Sequence, residues 1–160
     1  MAHVFLNIGS NLGNRRLNIS KAIREIEREF GAFELSHIVE SDPQGFDSTN
    51  SFLNIGMRIV SDLPPLDVLK RLQSIEKSLS SVAHRNQDNT YKDRELDIDI
   101  VAIDDLIIDS EALTVPHPKL SERIFFLGPL NELAPGWRDP RTGKNPTEML
   151  ADLYLNSPDK

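Results

Sequence analysis

This sequence predicts an α+β fold in which one mainly antiparallel sheet carries helices on one face, and three observations lead there. Short apolar runs alternate with amphipathic stretches in the order βαββαβ, ahead of a helical tail. In the run at 52–61 apolar residues recur at every second position from Leu53 to Ile59, the mark of a strand with distinct faces. At 160 residues with no internal repeat, low-complexity tract or linker, the chain is expected to form one domain, residues 1–160, around a single sizeable core.

Each element has its own signal. Residues 4–8, Val-Phe-Leu-Asn-Ile, read as the first strand, stopped by the turn-prone Gly9-Ser10-Asn11-Leu12-Gly13-Asn14. Ile19, Ile23, Ile26 and Phe30 recur at spacings of three and four and predict a helix ending at Gly31. Residues 33–39 form the second strand, and the polar stretch 41–51, with Pro43 and Gly45, is a long loop of the kind that often carries function. In 52–61, Leu53, Ile55, Met57 and Ile59 take one face, so that Phe52 and Asn54 look out together on the other, with Gly56 and Arg58. Pro64-Pro65 opens a second helix with Leu66, Leu69, Leu72, Ile75 and Leu79 as its buried stripe. Residues 80–93 are polar and rich in donors, a second long loop that leads straight into a strand at 96–103. Asp104-Asp105 turns the chain, and Leu106-Ile107-Ile108 reads as a short partner strand. Beyond Thr114-Val115-Pro116-His117-Pro118 the tail is helical near 124–133 and 146–154. This order is that of the ferredoxin-like arrangement with a helical C-terminal extension. Fold alone assigns no function.

Composition narrows the function classes. A net charge of −7 argues against nucleic acid, which demands a basic face, while small anionic ligands remain open if metal or a few arginines compensate. The absence of cysteine excludes disulfides, thiolate zinc sites and cysteine nucleophiles, and suits a reducing cytoplasm. The first residues reach Asn7 and Gly9-Ser10-Asn11 too soon for a signal-peptide core, and no apolar run approaches membrane-spanning length. The expectation is a cytoplasmic, unanchored protein acting as a monomer on small molecules.

The most telling residues are Asp97 and Asp99. On a strand they share one face, about 6.5–7 Å apart along the chain, a span that one or two hard cations can bridge. Leu96, Ile98 and Ile100 fill the opposite face, and Val101 and Ile103 continue the aspartates' own, so the acids stand where unpaired charge is costly. The plain alternative is a solvated acidic strand end. Oxygen-only ligation by two carboxylates favours Mg²⁺, which keeps waters and takes further ligands from phosphates. Arg94 is placed to neutralise phosphate oxygens, or else to pair with Glu95 or Asp97. His117, held between two prolines, is either a phosphate or ribose contact or a surface imidazole. Asn54 offers a donor and an acceptor beside the Phe52 ring, as a reader of an aromatic heterocycle would, or forms a cross-strand polar pair. No P-loop is present, since Gly143-Lys144 is followed by Asn145, and no G-x-S-x-G, H-E-x-x-H or dinucleotide fingerprint occurs.

Taken in order, Gly9-Ser10-Asn11-Leu12, Phe52-Leu53-Asn54, Arg94 with Leu96-Asp97-Ile98-Asp99-Ile100, Thr114-Val115-Pro116-His117 and Arg123-Ile124-Phe125 resemble one family closely. It is 6-hydroxymethyl-7,8-dihydropterin pyrophosphokinase, an enzyme family of folate biosynthesis, and the resemblance covers nearly the whole chain. It implies ATP-dependent transfer of a pyrophosphoryl group to the pterin's hydroxymethyl oxygen, leaving AMP, with two Mg²⁺ ions bridged by Asp97 and Asp99. By the same resemblance Arg94 meets the phosphates, and Gln73, Glu76, His117 and Arg123 lie on the ATP side. The pterin would be held by Asn54, stacked between Phe125 and Tyr91, lined by Phe52, and met through the loop bearing Ser41, Asp42 and Gln44. The chain departs from the family pattern where a Gly-Arg pair commonly follows the second helix. Here the stretch reads Ser80-Ser81-Val82-Ala83-His84-Arg85, and Arg85 or Lys92 is the candidate substitute. The alternatives are an idle nucleotide- or pterin-binding module on the same fold, which the missing basic pair favours, and an RNA-binding domain, which the acidic balance disfavours.

Overall fold

The computed structural model describes residues 1–41, 51–80 and 95–156. Strand β1 (Ala2–Ser10) is followed by α1 (Arg15–Phe30), β2 (Phe33–Leu35), β3 (Val39–Ser41), β4 (Phe52–Ser61), α2 (Pro65–Leu79) and β5 (Asp97–Ile103). A small hairpin of β6 (Ile108–Asp109) and β7 (Thr114–Val115), α3 (Ile124–Leu133) and α4 (Pro146–Leu155) complete the order. The main sheet runs β2-β4-β1-β5, with β3 also on β4, and its pairings are antiparallel. The mixed α/β class and the antiparallel sheet are therefore as the periodicity predicts, with three strands instead of two between α1 and α2.

Local chemistry explains the helix ends. Asn14 caps α1 by accepting from the Leu17 N–H at 3.1 Å, and Gly31 closes it at φ 87°, where a side chain would be strained. Asn145 and Glu148 form a reciprocal capping box at the start of α4. On α2 the buried stripe is Val68, Leu72 and Ile75, while Leu66 is 46% exposed. Leu66 lies six residues before Leu72, about 120° around the helix from it, which turns it away from the sheet.

Helices cover both faces of the sheet, which corrects the one-sided expectation. The first face, with Val4, Leu6, Ile8, Ile55, Met57 and Ile59, packs on α1 and α2. The second carries an apolar patch of Phe5, Val101 and Ala102, and such a patch needs a cover. Helices α3 and α4 supply it with Phe126, Leu127, Leu130 and Met149.

Three irregularities separate the strands from a simple alternation. In β5 the register jumps from Leu6↔Ile100 to Phe5↔Ala102, leaving Val101 as the extra residue of a β-bulge. Val101 stays on the aspartates' face, but Ile103 is turned into the α1/α2 core opposite Val4, contrary to the period-two expectation. The expected strand 33–39 is broken into β2 and β3 because the Ser36 hydroxyl replaces a ladder carbonyl, accepting from the Gly56 N–H at 2.8 Å. Three residues then face two on β4, since Leu35↔Met57 is followed by Val39↔Asn54. Finally, residues 106–108 do not pair with β5. Ile108 pairs with Val115, and the outer edge of β5 instead receives the His117 N–H at the Val101 carbonyl, 2.8 Å away.

Helix α3 sits so close to β4 that a Cβ added at Gly56 would lie 2.5 Å from the Pro129 Cβ. Gly56→Ala is expected to cost about 1–3 kcal/mol through overpacking and to lower the melting temperature by several degrees. Thermal unfolding followed by circular dichroism checks this, and an unchanged midpoint would mean that α3 yields.

Candidate functional site

The antiparallel register places the site residues in two rows across three strands. One row is Asp97 on β5, Gly9 on β1 and Asn54 on β4, and the next is Asp99, Asn7 and Gly56. These residues share the face that α3 covers further along the sheet, with Asn7 and Gly9 on the side of β1 that holds Phe5. The central strand does not stop at Ile8 as the turn-prone sequence suggests but runs through Ser10, so Gly9 is a strand residue. Its missing side chain matters, because a Cβ there would stand 3.0 Å from Asn54 Oδ1 and 3.4 Å from the Phe52 ring. Gly9 thus leaves an opening bounded by Phe52 and Asn54.

Asn54 does not look out freely; it is 2% exposed and held at both ends of its amide. Its Nδ2 donates to Ser41 Oγ at 2.7 Å and to the Val39 carbonyl at 3.4 Å, and its Oδ1 accepts from Asn7 Nδ2 at 3.1 Å. Ser41, Phe52 and Asn54 are thereby assembled as one group at the β3/β4 end. The base of the chain segment between Ser41 and Ser51 is tied as well. Arg15 donates to the Ser51 carbonyl and hydroxyl, each at 3.0 Å, and Ser51 Oγ donates to Glu40 at 2.6 Å.

At the other end of the rows, Asp99 is 27% exposed and its Oδ1 lies 4.0 Å from His117 Nε2. His117 Nδ1 accepts from the Lys119 N–H at 3.0 Å, so the single proton of the neutral ring resides on Nε2, the nitrogen that faces Asp99. Burial, with the positive charges of Arg123 and Lys119 added, pushes this imidazole down to about 4. Its ring meets Phe126 edge to face at 4.8 Å. The Arg123 guanidinium lies 5.0 Å from the centre of that ring and 5.5 Å from that of Phe125, a cation–π position. Arg123 Nε is buried without a hydrogen-bond partner among the described residues. Glu76 reaches across from α2 to accept the Ile98 N–H at 2.8 Å, on the outer edge of β5 between the two aspartates. Gln73, one turn earlier on α2, is exposed.

Among the described residues no three His, Asp or Glu side chains converge as a metal cage. The oxygens of a carboxylate pair suit Mg²⁺, whose remaining ligands are water and phosphate, and the chain has no cysteine to offer a zinc thiolate. A cleft of about 420 Å³ opens beside His117, but its cations Arg141 and Lys144 are already paired, with Asp109 at 2.7 Å and Asp152 at 2.5 Å. No described helix is long and apolar enough to cross a membrane.

Residues 5–135 match the model of the 7,8-dihydro-6-hydroxymethylpterin-pyrophosphokinase family. The chain belongs to this family. It is 36% identical over 135 residues to the 2-amino-4-hydroxy-6-hydroxymethyldihydropteridine pyrophosphokinase of Aquifex aeolicus, covering 84% of this chain and 82% of the relative. The corresponding protein of Porphyromonas gingivalis is 37% identical over 142 residues, 88% of this chain and 95% of the relative. The folic acid synthesis protein of Dictyostelium discoideum is 35% identical over 152 residues, yet this chain spans only 22% of its length. Among solved structures, an HPPK-DHPS chain in complex with substrates superposes with a TM-score of 0.77 at 12% identity, covering 100% of this chain and 46% of that one, a likeness of fold.

Of the residues expected to carry a pyrophosphokinase site, the fold gathers Asp97, Asp99, His117, Arg123 and Phe125 at one end and Ser41, Phe52 and Asn54 at the other. Glu76 edges the first group. Asp42, Gln44, Tyr91 and Arg94 lie outside the described residues, as do Arg85 and Lys92. Asn7 and the strand position of Gly9 were not foreseen, although a glycine within a strand is a known signal of close approach.

The depressed His117 value gives a direct test and a sign. An NMR titration of this ring is expected to show an inflection near 4 in place of the usual 6.5. The folded imidazole is neutral where the unfolded one takes up a proton, so its contribution to stability is full above 6.5 and is lost as pH falls from 6.5 to about 4.

Proposed function

We propose that this chain transfers the terminal pyrophosphoryl group of ATP to the hydroxymethyl oxygen of 6-hydroxymethyl-7,8-dihydropterin, giving AMP and the pterin diphosphate for folate biosynthesis. The observation that carries this is the pair of rows, which sets a ring-reading amide on β4 and a carboxylate pair on β5 across one intervening strand. Two strand spacings are about 9–10 Å, comparable to a bicyclic ring with its hydroxymethyl arm. A ring seated on Asn54 over Gly9 therefore directs that arm towards Asp97 and Asp99.

The reaction forms a bond between the hydroxymethyl oxygen and the β-phosphorus and breaks the one to the oxygen that bridges the α- and β-phosphates. AMP departs with that oxygen. Such a displacement needs charge neutralisation, an in-line approach and exclusion of water more than a strong base. Asp97 and Asp99 would hold two Mg²⁺ ions, which when bound neutralise phosphate oxygens and align the reacting groups. The Arg123 guanidinium and the His117 Nε2–H form an electropositive corner beside Asp99, suited to polyphosphate oxygens. Neutral His117 acts there as a hydrogen-bond donor and not as an acid. Asn54, Phe52 and Ser41 would orient the pterin, with Phe125 and Tyr91 stacking on it and Asp42 and Gln44 contributing further contacts. Gln73 and Glu76 would lie along ATP, and Arg94 would meet the phosphates. The cysteine-free composition suits a reducing cytoplasm, and action as a monomer belongs to the same reading.

Asp97→Ala and Asp99→Ala are each expected to abolish AMP formation from ATP, Mg²⁺ and the hydroxymethyl-dihydropterin while leaving the circular dichroism spectrum and melting temperature close to the parent's. Near-normal AMP release in either variant would remove the metal assignment. In the parent, pterin-dependent AMP supports the enzyme, whereas binding of both ligands without product supports the idle module that the missing Gly-Arg pair favours.

A further inference from the structure

Asn7 sits at the middle of β1 between the two ends of the site and is 3% exposed. Its neighbours across the strands are Asp99 on one side and Gly56 on the other. It donates through Nδ2 to Asn54, while its own Oδ1 is buried with no hydrogen-bond partner among the described residues. A buried acceptor left unmatched is destabilising, and an apolar side chain of similar shape would avoid it. The polar choice at position 7 therefore calls for a role beyond packing.

That role lies in the direction of the Asn54 amide. The Val39 carbonyl can only accept, so the Asn54 nitrogen must face β3 and the oxygen must face β1. The Ser41 hydroxyl rotates to suit either arrangement and does not decide it. An oxygen turned towards β1 needs a donor there, and Gly9 has no side chain to provide one. Asn7 Nδ2 is that donor. With both Nδ2 hydrogens directed to Ser41 and Val39, what Asn54 presents to a ring is the second lone pair of Oδ1. We infer that Asn7 is a positioning residue that sets Asn54 as an acceptor for a ring N–H or amino donor, and so tunes pterin affinity without touching ATP. The inference rests on the proposed role of Asn54 in holding the pterin.

Asn7→Leu keeps the approximate shape and removes both the donor and the orphaned acceptor, and Asn7→Ala removes the same two groups without adding bulk or charge beside Asp99. Both are expected to weaken binding of 6-hydroxymethyl-7,8-dihydropterin about tenfold, the scale of one oriented hydrogen bond. KM for the pterin rises in step, while kcat at saturating pterin and KM for ATP stay within about twofold of the parent's. Asn7→Leu should also melt at or above the parent's temperature, because the unmatched acceptor is gone, which a purely structural asparagine would not allow. In an Asn54→Ala background, Asn7→Leu should leave pterin affinity unchanged. Full pterin affinity in both Asn7 variants overturns the inference, as does an undiminished effect in the Asn54→Ala background or an equal loss of ATP affinity. If Asn54→Ala itself binds the pterin normally, the ring assignment falls and the inference with it. If Asn54→Ala loses the pterin and the Asn7 variants do not, the inference alone falls.

Discussion

The register of β1 against its two neighbours is the constraint on which the rest of the structure depends. Val4, Leu6 and Ile8 are at most 2% exposed and lock one face of this strand into the α1/α2 core. Sliding β1 by one residue would take all three out of that core and bring the Asn7 amide into it, where a polar group without partners is costly. Asn7 and Gly9 occupy the alternate positions of the same strand, so their alignment with Asp97, Asp99 and Asn54 is enforced by side chains that take no part in chemistry. The apolar half of β1 sets the precision of its polar half.

Helix α3 links the second core to the proposed phosphate corner. Its packing on Gly56 and the tie of His37 to Glu132, through backbone N–H at 2.8 Å and ring nitrogen at 2.9 Å, hold the helix against the β2–β3 link. Arg123 and Phe125 stand at its first turn, and Phe126 beside them is both a core residue and the surface on which His117 rests. Stability and placement of the positive corner are thus properties of one helix. Truncating Phe126 would loosen both together.

Much of this was legible in the sequence, for reasons that also mark where legibility ended. The helices at 15–30, 65–79, 124–133 and 146–155 follow from apolar spacing and caps, and β4 from clean alternation, because each depends on neighbours within a few residues. The bulge at Val101, the Ser36 substitution in the ladder and the departure of 106–108 from β5 depend on which strand lies alongside, and local pattern is silent about that. The second helical layer was missed because Phe5, Val101 and Ala102 become one patch only after the bulge realigns β5. In the site, the Asp97/Asp99 pair carries its own signal, two charges beside an apolar run, and Asn54 gains meaning from Phe52. Asn7, a single amide in an apolar strand, shows its partner only once β4 is in register.

The two rows have a consequence for what the site can choose. A β-sheet is a ruler with coarse graduations, about 4.8 Å from strand to strand and about 6.8 Å between like-facing residues along one. The gap between the amide and the acids cannot be trimmed by a fraction of an ångström through sliding; it changes by a whole graduation or not at all. A substrate whose arm were one carbon longer would find no intermediate setting. Under the proposed function, discrimination by length would be inherited from the sheet, leaving the surrounding side chains to judge only which atoms stand at each mark.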